Sequence, residues 1–104
     1  MEVVGSAQDG PGAIELIKQL DPDVALVDLR MPGATGADVA RALAKGTDVH
    51  TRIVIISARA DRALVDLARR AGAHGYVSKD ASLRQIASVV DLCARGEMVF
   101  PAYD

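Results

Sequence analysis

The residues Ile53-Val54-Ile55-Ile56 form an apolar run with no polar alternation. Successive side chains of a strand point to opposite faces, so such a run needs cover on both sides. A second run of the same kind, Val24 to Val27, leads straight into an acid, Asp28, and the chain then breaks at Pro32 and Gly33. Strands of this type belong in a parallel sheet covered on both faces rather than in a sheet with one wet side. A carboxylate at the end of one is costly unless something pairs with it.

The segments between the runs carry the other period. Ala13, Ile14, Ile17 and Leu20 recur at helical spacing after the Gly-Pro-Gly at 10–12. Asp21-Pro22 stops that helix, because a residue before proline avoids the helical region. Val39, Ala40 and Leu43 give a short helix ending at Gly46, after a turn at 31–36. Asp61 is placed to cap a helix carrying Leu64, Val65, Leu67, Ala68 and Ala71. Ser82 is placed to cap one carrying Leu83, Ile86, Ala87, Val90 and Cys93. Short strands are expected at Val3-Val4 and Tyr76-Val77. Strand and helix alternate throughout, which predicts α/β architecture with right-handed crossovers.

At 104 residues the chain fits one domain. A net charge of −2 leaves no basic footprint for nucleic acid and no polybasic patch for a membrane. No apolar run approaches the ~20 residues of a membrane span. The single cysteine excludes an internal disulfide and agrees with a reducing cytoplasm. His50 and His74 have no ligand partner at metal spacing and read as surface residues.

Ligands of open parallel sheets gather at the carboxyl ends of the strands. Asp28, Ser57 and Lys79 all fall there. A strand-end aspartate can act as a nucleophile and form an acyl phosphate. Lys79 supplies a point charge for the phosphoryl oxygens, Ser57 a hydroxyl donor, and Ala58 is small enough to leave access. A magnesium ion suits such chemistry, held by carboxylates and phosphate oxygens, and the backbone carbonyl of Arg30 lies just past Asp28. Each residue alone also has a plain structural reading: Asp28 as a turn cap, Ser57 as a strand-end hydroxyl, Lys79 as a solvated lysine, Tyr76 as a half-buried strand aromatic. It is the three together that point to a site.

The stretches "ALVDLRMPGATG", "IVIISA" and "GYVSKDAS", in this order and spacing, resemble the receiver domain of NarL/FixJ-type two-component response regulators. The resemblance implies a flavodoxin-like, receiver-like parallel sheet with flanking helices. It also implies phosphorelay signalling, with a histidine kinase as phosphodonor and a DNA-binding transcriptional output. By that likeness Asp28 is the phosphoacceptor, Ser57 the hydroxyl switch, Lys79 the phosphoryl contact and Tyr76 the responding aromatic. Mg2+ is the implied cofactor, bound by Asp28 and the Arg30 carbonyl. The domain is expected to be a signalling module rather than an enzyme.

The family also begins with one more strand, ending in a metal-binding acidic pair, and one more helix. The expected domain, residues 1–104, lacks both and lacks the output domain. It is thus a receiver truncated to about four strands and four helices. The alternative is a degenerate, non-phosphorylated receiver acting as an interaction or dimerisation module. The missing helix would expose Ile86, Val90 and Cys93 as an apolar stripe, so a homodimer or strand-completing assembly is expected, without nucleic-acid contact by this chain. Phosphatases of the haloacid dehalogenase type want a second aspartate where Arg30 stands. Dinucleotide sites want a third glycine that "QDGPGAIE" lacks.

Overall fold

The computed structural model describes residues 10–21, 23–31, 34–44, 51–58 and 61–101. Its elements are α1 (Gly10–Leu20), β1 (Val24–Asp28), β2 (Arg30–Met31), β3 (Ala34–Thr35), α2 (Gly36–Ala44), β4 (Arg52–Ser57), α3 (Arg62–Arg70), β5 (Gly75–Ser78) and α4 (Leu83–Ala94). The three longer strands make a parallel sheet in the order β1-β4-β5. The expected strand at Val3-Val4, and Asp9, His50 and Tyr103, lie outside the described residues. The stretch read as a simple turn at 31–36 instead contains a two-residue antiparallel ladder, Arg30 opposite Thr35 and Met31 opposite Ala34.

The helix boundaries follow local chemistry. Pro11 sits in the first turn of α1, where its missing N–H costs no helical bond. Asp21 leaves that helix with φ 47°, its amide donating to the Ile17 carbonyl at 2.8 Å. Aspartate is among the few residues that tolerate this left-handed exit. The Asp61 carboxylate caps α3 by accepting from the Leu64 amide at 2.9 Å. Ser82 and Gln85 cap α4 reciprocally, each side chain accepting from the other's backbone N–H.

The apolar runs alternate between the two faces as expected. Val27, Ile53, Ile55 and Tyr76 join Ile17, Val39, Ala40, Val65 and Ala68 in a core under α1, α2 and α3. Val24, Val54 and Val77 face the other way, against Cys93 of α4, with Ile56, Ile86, Val89 and Val90 packed around them. The expected exposed stripe on the last helix is therefore corrected. Cys93 is fully buried, and Ile86 and Val90 are half-buried, because α4 lays this stripe directly on the sheet. Leu26 of β1 stays 46% exposed. The stripe that argued for self-association is thus already covered.

At Gly75, β5 lies close against Cys93 of α4. A Cβ there would lie 2.8 Å from Cys93 Sγ and 3.3 Å from the Val99 carbonyl oxygen. Gly75→Ala is expected to cost about 1–3 kcal/mol through overpacking. Part of that loss should return in Gly75→Ala/Cys93→Ala, which removes the nearest obstacle. A double-mutant cycle by urea denaturation measures the coupling. Strict additivity of the two changes would contradict the packing described.

Candidate functional site

The site lies at the carboxyl ends of the parallel strands. Strand β1 carries the chain to Asp28, which stands opposite Ile56 of β4. One residue further, Ser57 stands opposite Ser78 of β5. The ladder continues past the strand ends: the Leu29 amide donates to the Ile56 carbonyl at 3.0 Å, and the Lys79 amide to the Ser57 carbonyl at 2.8 Å. Leu29 is buried and anchors the exit from β1. These bonds set the three strand ends level.

Two of the expected site residues meet directly. The Lys79 Nζ lies 2.5 Å from Asp28 Oδ2, a contact spanning 51 residues of sequence. Their side chains are 45% and 36% exposed. A pair this open to water adds little to stability, on the order of 0–1 kcal/mol. Its importance is positional: a carboxylate nucleophile and a cation share one accessible rim. Ser57 is buried at the same level, 6% exposed. Tyr76 is 2% exposed and lies inside the core under α1–α3, so it is a buried aromatic rather than a half-buried one.

Arg30 follows in β2, laddered to Thr35. Among the described residues no group of three or more His, Cys, Asp or Glu side chains is arranged to hold a metal ion. One oxygen of Asp28 is committed to Lys79. The chemistry that the described side chains supply at this rim is that of Asp28, Ser57 and Lys79.

Two side chains escaped the sequence reading, Ser78 at the rim and His74 at the opposite end of the strands. The Ser78 hydroxyl accepts from the Asp80 amide at 3.1 Å and shapes the turn from which Lys79 projects. A serine before Lys-Asp at a strand end is a signal for such a turn. His74 is not a surface residue. Its Nδ1 accepts the Ile53 amide at 3.1 Å, joining the start of β5 to β4.

Burial, and secondarily the Arg52 guanidinium, hold the His74 pKa below the ordinary histidine value of 6.5. A histidine lowered on folding stabilises the native state above its unfolded pKa. That stability is lost as pH falls below 6.5 toward the folded value, because the unfolded chain then binds more protons. Denaturation midpoints should fall from neutral pH to about pH 5. In His74→Asn, which keeps an acceptor but does not titrate, the slope should flatten. An unchanged slope would remove His74 as its source.

The response regulator receiver domain, as a family description, matches residues 1–91. The "Probable transcriptional regulatory protein NarL" of Mycobacterium tuberculosis H37Rv is 46% identical over 99 residues, 95% of this chain and 45% of that protein. The nitrate/nitrite response regulator protein NarL of Escherichia coli K12 is 38% identical over 97 residues, 93% of this chain and 44% of that protein. The chain thus spans less than half the length of these curated relatives. Among solved structures, the signal receiver domain of a Mycobacterium tuberculosis NarL response regulator superposes with a TM-score of 0.87 at 46% identity, over 92% of this chain and 77% of that one. None of the described helices is long and apolar enough to cross a membrane. The comparisons lend no support to the degenerate alternative. With its flavodoxin-like sheet and its NarL-type relatives, this chain belongs to the receiver domain family of two-component response regulators.

Proposed function

We propose that this domain accepts a phosphoryl group on the Asp28 carboxylate from a histidine kinase and passes that state to a DNA-binding transcriptional output. A carboxylate oxygen attacks the phosphorus of a phosphohistidine. A P–O bond forms, the P–N bond breaks, and the leaving imidazole takes up a proton. Lys79, already beside Asp28, exchanges its carboxylate partner for a phosphoryl oxygen and neutralises charge as it builds up. Ser57, one residue beyond the partner of Asp28 in the ladder, donates its hydroxyl to another phosphoryl oxygen. The observation that carries this reading is the Asp28–Lys79 contact at the carboxyl rim of a parallel sheet. The transcriptional output is supported by the name of the Mycobacterium tuberculosis relative, a probable transcriptional regulatory protein of which this chain covers 45%.

The test is incubation with acetyl phosphate and magnesium, read by intact mass. The wild-type protein should gain one phosphoryl group, and Asp28→Asn should gain none. No gain in the wild type, or the same gain in the variant, would overturn the assignment.

A further inference from the structure

After α4 the chain turns back and docks on the outer edge of the sheet. The Val99 amide donates to the His74 carbonyl at 2.9 Å, and the Tyr76 amide donates to the Val99 carbonyl at 3.0 Å. Val99 thereby forms a parallel bridge with Gly75, closing an edge that β5 would otherwise present. The next residue, Phe100, is half-buried against the same core that holds Tyr76. The Arg69 guanidinium of α3 lies over its ring, 4.8 Å from the centroid. Arg69 is itself half-exposed and lies 4.0 Å from Asp66 Oδ1 one turn earlier.

We infer that residues 98–101 form a latch whose closed state, seen here, senses whether Asp28 carries a phosphoryl group; this rests on the phosphoacceptor reading above. The segment is held by β5, through the backbone of His74 and Tyr76, and by α3, through Arg69. Both holds are tied to the site. Strand β5 leads directly into Lys79, which is bonded to Ser57 by its amide and to Asp28 by its ammonium. Helix α3 packs Val65 and Ala68 into the same core as Tyr76. When Lys79 trades its carboxylate for a phosphoryl oxygen, the end of β5 loses one restraint and gains another. That change reaches the latch through Tyr76, only three residues away. The latch is small enough to respond, being two backbone bonds, one cation–π contact and the half-buried side chains of Val99 and Phe100. A signal moves only an element whose contacts differ between the two states, and here the differing contact is made by the strand that holds the latch.

The test is amide hydrogen exchange resolved at Val99, Tyr76 and Ile55, with phosphorylation followed by intact mass. In unphosphorylated Arg69→Ala, a half-exposed change that spares the core, Val99 and Tyr76 should exchange about two- to fivefold faster, with Ile55 unchanged. Acetyl phosphate should change protection at Val99 and Tyr76 in the wild type, and in Asp28→Asn it should not. A full mass gain with unaltered protection at these amides overturns the latch and leaves the phosphoacceptor intact. No mass gain overturns both. Arg69→Ala exchanging like wild type overturns the closed contact itself.

Discussion

Lys79→Ala is expected to slow phosphoryl uptake by about a hundredfold or more while leaving the fold nearly as stable as before. Removing one preorganised charge or donor from a transition state commonly costs ~10²–10³ in rate. The ammonium beside Asp28 is aimed where negative charge grows during transfer. The same pair contributes on the order of 0–1 kcal/mol to stability, because both partners are well solvated. The two readouts therefore separate. Initial rates of mass gain from acetyl phosphate should collapse, and the urea midpoint should move little. An unchanged rate would mean that Lys79 is only a surface partner of Asp28. A large loss of stability would mean that the pair serves the fold instead.

Ile55→Ala is expected to have the largest effect on stability, about 2–5 kcal/mol. Ile55 is fully buried at the centre of the middle strand, opposite Val27 on one side and Tyr76 on the other. Cutting it back removes contacts on the face where three helices converge, and the neighbours lie in strands whose register fixes them. Such a site collapses poorly, so the cavity persists. A domain of this size has only ~5–15 kcal/mol in hand, so the loss is a large share of the total. Urea denaturation should show a lower midpoint with an unchanged slope. A shift below ~0.5 kcal/mol, within the range of ordinary surface substitutions, would contradict the burial described.

The elements that sequence reading located were those whose signal is local. Val24–Val27 and Ile53–Ile56 need cover on both faces wherever they sit, and Asp61 and Ser82 announce helices by chemistry contained within one turn. The strand-end rule likewise brought Asp28, Ser57 and Lys79 to one rim before any distance was known. What escaped depends on partners far along the chain. The ladder of Arg30 and Met31 is too short to leave a period. The ring of His74 is held, half-buried, by an amide 21 residues away. Phe100, in an unpatterned tail, finds its place only because Arg69 and the edge of β5 are already there. The stripe on α4 was read correctly as apolar. Its burial on Val24, Val54 and Val77 is a matter of helix placement, which the spacing of Ile86, Val90 and Cys93 does not encode.

The most direct measurement locates the phosphoryl group itself. Protein treated with acetyl phosphate and then reduced with borohydride converts an acyl-phosphorylated aspartate to homoserine, which tandem mass spectrometry reads at a single residue. Homoserine at position 28 and at no other aspartate is the expected result. Homoserine at Asp23, Asp80 or another acid, with Asp28 unmodified, would contradict the account.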